Sequence, residues 1–245
     1  MSVFEEQLGF RPSTFALPKG DDRDASDEVF RDMFGFDPPE LGGDNPDAAV
    51  QDGVMYIRLK GADIPGFVGE GWVDAGITGN DSVDEYKGSE CRAALKTLDC
   101  PEREMGRFSL FAADGYVTPD EFETKMRKLE RERTVARALT SFPNFLWKLA
   151  QEQEYPIVPV NFPIRGSVEA SRKLFERAGV KYGADVVVSG SSLAKNGQSE
   201  VKELSKIYPV VMKSENGRTP IVKKWPVEYR TDSGHGLPKR KTRWV

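Results

Sequence analysis

Short apolar runs alternate along this chain with amphipathic helical stretches, and that alternation narrows the choice of fold more than any other feature. Residues 13–17 (STFAL), 54–59 (VMYIRL), 73–77 (VDAGI), 108–113, 134–139, 157–162 and 185–188 read as strands. Residues 28–34, 64–70, 118–131, 143–153 and 168–178 read as helices by the spacing of their apolar positions. The stretch at 118–131 is the clearest. Thr118 caps it, Pro119 suits its first turn, Glu121 completes a capping box, and Phe122, Met126 and Leu129 make one apolar face. Residues 35–53, rich in Gly, Pro and Asp, read as a long acidic loop. Residues 202–212 (KELSKIYPVVM) read as a long strand or a strand pair, and 221–230 as an edge strand. The pattern predicts an α/β protein, and 245 residues make one large domain or two small lobes.

Charge and composition exclude several functions. The chain has 35 Lys and Arg against 39 Asp and Glu, a net charge of −4. A generally basic nucleic-acid binder is thereby excluded, and an anionic ligand has to be held by a local arrangement. No apolar run reaches the ~18 residues of a membrane span. The opening MSVFEEQLGF has acids where a signal peptide has a basic start. A cytoplasmic protein without a membrane partner is the expectation. Cys91 and Cys100 are too few for a disulfide framework or a zinc site, and both read as packing or surface thiols. His235 is the sole histidine and sits between glycines in a polar stretch. A mechanism that needs an oriented imidazole is not expected. Residues 239–245 (KRKTRWV) read as a solvated basic tail, and Trp225 and Trp244 as packing residues.

The candidate chemistry lies in turns after strands. In residues 185–193 (DVVVSGSSL) an apolar strand runs into Ser189, Gly190, Ser191 and Ser192. N–H groups at a helix start have no helical partner, and the dipole there favours an anion. Gly190 admits a phosphate close to the backbone, and the serines offer hydroxyl donors. Asp185 suits ribose hydroxyls or a metal-bound water. Residues 166–169 (GSVE) put a glycine, a capping serine and Glu169 at another helix start. Residues 76–81 (GITGND) end a strand with glycines, a hydroxyl and an amide, and reach Asp81. Ligands of α/β proteins bind at strand carboxyl ends, so these turns suit a polar, phosphorylated ligand.

Six of these stretches, in order, resemble the ATP phosphoribosyltransferase family, the first enzyme of histidine biosynthesis. They are residues 17–20 (LPKG), 62–68 (ADIPGFV), 73–81 (VDAGITGND), 137–144 (RALTSFPN), 166–169 (GSVE) and 185–197 (DVVVSGSSLAKNG). The family's patterns there read LPKGR, RARDIPxYV, DLGITGxD, RVATKYPN, GSVE and DxVxTGxTLxxNG. The resemblance implies two lobes of mixed sheet with flanking helices, like a type II periplasmic binding protein, with the active site in the cleft. Lobe I would hold residues 1–102 and 204–245. Lobe II, residues 103–203, would carry the phosphoribosyl-diphosphate loop. No C-terminal regulatory domain is expected.

The implied reaction joins N1 of the adenine of ATP to C1′ of phosphoribosyl diphosphate with Mg²⁺ and releases pyrophosphate. Positioning and charge stabilisation carry such a reaction, and neutral N1 is already a nucleophile, so no strong base is required. Carried over by position, Ser189, Gly190, Ser191 and Ser192 cradle the 5′-phosphate. Glu169 and Asp185 serve as catalytic carboxylates facing the ribose, with Asp185 also the metal ligand. Lys19, Asp81 and Arg107 line the cleft. The resemblance also implies a homo-oligomer and, as in the family's short form, a regulatory partner subunit.

The departures bear on the acceptor. Asp21, Ala62 and Ser141 stand where the family carries cations, and Arg165 stands where it has a small residue. Each charge-assisted hydrogen bond to a phosphate is worth roughly 1.5–3 kcal/mol. Another aromatic nitrogen base of a specialised nucleoside pathway therefore competes with ATP as acceptor. A non-catalytic two-lobed ligand-binding protein is the alternative outside catalysis.

Overall fold

The computed structural model describes residues 2–41, 47–88, 95–112, 118–160, 186–190 and 200–214. The elements in order are α1 (Val3–Leu8), β1 (Thr14–Pro18), α2 (Arg23–Phe34), β2 (Ala48–Gln51), β3 (Val54–Leu59), α3 (Ile64–Gly69), β4 (Ala75–Gly79), α4 (Asn80–Lys87), β5 (Leu95–Leu98), β6 (Gly106–Ala112), α5 (Pro119–Arg131), β7 (Ala136–Leu139), α6 (Pro143–Glu152), β8 (Ile157–Pro159), β9 (Val186–Gly190), β10 (Glu200–Ile207) and β11 (Pro209–Ser214). They form two mixed sheets, ordered β2-β3-β1-β4-β11-β5 and β10-β6-β9-β7-β8. The expected α/β class with two mixed sheets is what the chain adopts. The chain passes from the first sheet to the second after β5 and returns at β11.

The crossing at Tyr208 explains the 202–212 stretch. It is a strand pair, not one long strand, and its halves join different sheets. β10 pairs with β6, while β11 lies antiparallel to β4 and β5. β10 runs through residue 204, so the whole strand belongs to the second sheet. The backbone N–H of Asn80 donates to the Tyr208 carbonyl at 2.9 Å, and the Tyr208 N–H donates to Asn80 Oδ1 at 3.1 Å.

Two other expectations need correction. The stretch 35–53 is not all loop, because it contains β2, antiparallel to β3 across Asp52 and Gly53. Both turn residues have positive φ, 51° and 75°, as a two-residue hairpin turn requires. The helix expected from residue 28 begins at Arg23, just after a 3-10 turn at Gly20–Asp22. The helix at 118–131 forms as read, with Thr118 and Glu121 in a reciprocal capping box. The stretches at 168–178 and 221–230 lie outside the described residues.

Alternation along β1 splits the first sheet's packing between its two faces. Phe15 and Leu17 join Phe4, Phe30, Phe34 and Tyr56 beneath α1 and α2. Ala16 faces the other way, with Ile64, Val68, Val83 and Met212 beneath α3 and α4. Phe15 meets Phe30 and Phe34 edge-on, with ring centroids 5.3 and 5.7 Å apart. A separate core under the second sheet joins Phe108, Leu110, Phe122, Met126, Phe145 and Leu146.

Two carboxylates of α4, beside the first sheet, reach α6, beside the second, and Glu85 makes most of the bonds. The first N–H groups of α6 need outside acceptors, Pro143 lacks one, and Phe142 at the cap has no polar side chain. Glu85 of α4 supplies the acceptor. Its Oε2 accepts from the N–H groups of Asn144 and Phe145 at 2.7 and 3.0 Å, and Oε1 accepts from Asn144 Nδ2 at 3.0 Å. Lys148 adds a 2.8 Å ion pair to Asp84.

Candidate functional site

The site is built by three parallel strands that end together. In register, Pro18 of β1 stands beside Leu59 of β3, and the β1–β4 pairing of Phe15 with Ala75 brings Gly79 to the same edge. Each strand then turns sharply. β1 runs through extended Lys19 to Gly20, whose φ of 84° suits a residue without a side chain. β3 runs into a 3-10 turn at Gly61–Asp63, and β4 passes directly into α4.

These ends are bound to one another. Thr78 Oγ1 donates to the Gly61 carbonyl at 2.8 Å. A Cβ on Gly61 would stand 2.9 Å from Thr78 Oγ1 and 3.1 Å from Asp22 Oδ2, so Asp22, Gly61 and Thr78 converge and leave no room for a side chain at 61. A Cβ on Gly79 would come within 2.4 Å of Asp81 Oδ1. Asp81 is only 8% exposed, and its Oδ1 accepts from the Ser82 N–H at 2.7 Å. Burial pushes the Asp81 carboxyl up to about 6, against the pull of the Ser82 N–H, and the negative charge of Asp22 pushes the same way. Asp22 is itself raised, first by burial and then by Asp21. A carboxyl poised near 6 both accepts and donates a proton near neutrality. The influence of Asp22 on Asp81 was invisible in the sequence, because the two strand ends come side by side only through the parallel pairing.

A groove opens beside the second strand end. Its volume is about 510 Å³, and Ala62, Asp63, Phe67, Glu70 and Trp72 line it. Phe67 and Trp72 are 40% and 50% exposed. Ala62, where the resemblance expects a cation, contributes a methyl group to this wall.

The sequence-derived candidates fall in different places. Asp81 is in the cluster. Lys19 is at the same edge, half exposed, with Asp47 at 3.8 Å. Arg107 is on β6, where Glu104 and Glu203 take its guanidinium at 2.9 and 3.1 Å. It is thus committed to the β6–β10 ladder and not joined to the strand-end cluster. The backbones of Ser189 and Gly190 close β9, opposite Ser109 and Phe108 of β6. Arg165, Glu169, Asp185, Ser191 and Ser192 lie outside the described residues, as do Cys91, Trp225, His235 and Trp244. Cys100 is half-buried, and its thiol donates to the Pro209 carbonyl at 3.1 Å. Among the described residues no group of His, Cys, Asp and Glu is arranged as a metal ligand set. No helix among them is long and apolar enough to cross a membrane.

Comparison with known proteins decides the family. The HisG model, ATP phosphoribosyltransferase, matches residues 60–224, two-thirds of the chain. The chain belongs to this family. It is 33% identical over 150 residues to the ATP phosphoribosyltransferase of Gemmatimonas aurantiaca, covering 60% of this chain and 45% of that protein. The chain thus spans about half the length of that relative. It is 26% identical over 205 residues to the ATP phosphoribosyltransferase of Sphingopyxis alaskensis, covering 80% and 81%. Among solved structures it is similar to the ATP phosphoribosyl transferase (HisG:HisZ) complex from Thermotoga maritima, with a TM-score of 0.50. At 18% identity, over 82% of this chain and 87% of that one, this likeness shows a shared fold. The family match begins at Lys60 and takes in two of the three strand ends, the β7–α6 turn and β9.

Proposed function

We propose that this family member is a phosphoribosyltransferase that joins a nitrogen of a nucleobase, in the first reading N1 of ATP, to C1′ of phosphoribosyl diphosphate and releases pyrophosphate. The observation that carries the reading is the family match across residues 60–224. The geometry supports it, because glycine-rich turns of the first sheet follow strand carboxyl ends, where α/β proteins take phosphorylated ligands, and Gly190 stands at the carboxyl end of β9 in the second. In this reading the two sheets are two lobes that divide at Tyr208, and the substrates lie between them. Ser189, Gly190, Ser191 and Ser192 hold the 5′-phosphate. Glu169 and Asp185 face the ribose, and Lys19 and Arg165 meet the diphosphate. Asp185 would be the residue that holds Mg²⁺, which would supply positive charge to the departing pyrophosphate. The place of the reaction is the opening step of histidine biosynthesis in the cytoplasm, and a regulatory partner subunit goes with it.

A second reading replaces ATP by a less anionic aromatic base. Asp21, Asp22 and Asp81 gather at the strand ends, and Ala62 leaves the neighbouring groove without the expected cation. Two unit charges 4 Å apart interact by about 1 kcal/mol in water and by more in a sheltered cleft. A triphosphate placed there meets carboxylates where the family offers arginines.

The phosphate loop is tested by Gly190→Val. A branched side chain blocks the approach of the 5′-phosphate to the backbone at the end of β9. Calorimetry should show phosphoribosyl-diphosphate affinity weakened by about 100-fold, with an unchanged thermal midpoint. Unchanged affinity would show that the loop does not hold the phosphate.

A further inference from the structure

Arg58 is a charged residue in a place the chemistry above does not use. It lies on the apolar face of β3 between sheet and helix, only 2% exposed. Its Nη1 donates to the Pro18 carbonyl at 3.0 Å. Its Nη2 meets Asp27 Oδ2 of α2 at 2.7 Å. That oxygen also accepts from Arg23 Nε at 3.4 Å. Pro18 is the last residue of β1, and its carbonyl precedes Lys19. The Lys19 N–H is held in turn by the Leu59 carbonyl at 2.8 Å. The peptide that launches Lys19 is therefore fixed on both sides, by a β3 side chain and by the β3 backbone.

A buried Arg–Asp pair is a poor source of stability, because desolvation offsets most of its attraction and an apolar pair of similar volume often does as well. Among the described residues Arg58 Nε and Asp27 Oδ1 also find no partner, a cost that an apolar pair would not carry. What the guanidinium supplies, and an apolar side chain cannot, is a rigid fork joining one carbonyl at the site's edge to one carboxylate on α2.

We infer that Arg58 is a positioning residue, which holds the Pro18–Lys19 turn from inside the sheet so that Lys19 and Gly20 are presented to the diphosphate of the substrate. This rests on the reading of Lys19 as a substrate contact. A lysine at 58 keeps the charge beside Asp27 but cannot span both partners. The double change Asp27→Leu with Arg58→Met fills the space with apolar atoms and releases the turn altogether.

The experiment measures phosphoribosyl-diphosphate affinity by calorimetry and the thermal midpoint of each variant, completed as a double-mutant cycle with Lys19→Ala. Arg58→Lys should weaken binding about tenfold in the wild-type background and by less than about twofold once Lys19 is gone. The apolar pair should weaken binding at least as much, with a midpoint equal to or above that of wild type. Arg58 is a packing residue only, and the inference fails, if both Arg58 variants bind as wild type. It fails equally if the effects of Arg58→Lys and Lys19→Ala add. A Lys19→Ala variant that binds as wild type, or a wild-type protein that does not bind the diphosphate, overturns the substrate reading of Lys19 and this inference with it.

Discussion

Asp81→Asn should make the protein more stable at neutral pH. Its carboxyl rises from an ordinary 3.8 to about 6 on folding, with burial the largest cause. The folded state thus binds the proton more tightly than the unfolded state. The sign follows from linkage: between pH 3.8 and 6 the unfolded chain has lost a proton that the folded chain keeps, so stability falls as pH rises through that window. At pH 7 and above the full cost is present, at most about 3 kcal/mol at 1.36 kcal/mol per pKa unit. Asparagine retains an oxygen for the Ser82 N–H and has no charge to desolvate. Denaturant unfolding at pH 7.5 should show a gain of about 1–3 kcal/mol, and the difference from wild type should vanish below pH 4. An equal gain at both pH values would mean that repacking, not charge, is responsible. A site carboxylate held at the expense of stability is characteristic of functional positions.

Glu85→Ala should act in the opposite direction. It removes the acceptor for two backbone N–H groups and one amide at the start of α6. Loss of a cap costs about 1 kcal/mol, and each half-buried donor left without a partner adds about 1 kcal/mol or more. A total loss of about 2–4 kcal/mol is expected, with about half that for Glu85→Gln, which keeps one oxygen. Because Glu85 joins helices that flank different sheets, its loss should also separate their unfolding. With Trp225 and Trp244 changed to Phe, tryptophan fluorescence would follow Trp147 on α6 after a Trp72→Phe change, and Trp72 at the first sheet after a Trp147→Phe change. Coincident transitions in the Glu85→Ala variant would show that the crossing strands alone make the two sheets cooperative.

The sequence was informative where periodicity or capping left one solution, and weaker where pairing across the chain decided. The helix after Thr118 follows from its cap, its proline and its apolar spacing alone. β2 was missed although Asp52-Gly53 is a strong hairpin signal, because the exposed strand AAVQ lacks an apolar face. Tyr208 hides the break between β10 and β11, where an apolar stretch continues while the chain changes sheets. The role of Arg58 was partly legible. In VMYIRL the alternation puts Val54, Tyr56 and Arg58 on one face, and an arginine in line with two buried residues signals a buried charge. The influence of Asp22 on Asp81 was not legible, because Asp22 follows β1 and Asp81 follows β4, and these strand ends lie side by side only through the parallel pairing. The ion pairs of Arg107 were not legible either, because Glu203 comes from β10, far along the chain, and joins it only through the β6–β10 pairing.

The central claim is tested most directly by pyrophosphate release from phosphoribosyl diphosphate with Mg²⁺, measured with ATP and with a panel of uncharged and singly phosphorylated aromatic bases. The account predicts release that depends on an acceptor, in equal amount with a phosphoribosylated base, supported by ATP in the first reading and by a less anionic base in the second. A folded protein that binds phosphoribosyl diphosphate but releases no pyrophosphate with any acceptor would contradict the transferase assignment and favour a ligand-binding protein on the same fold.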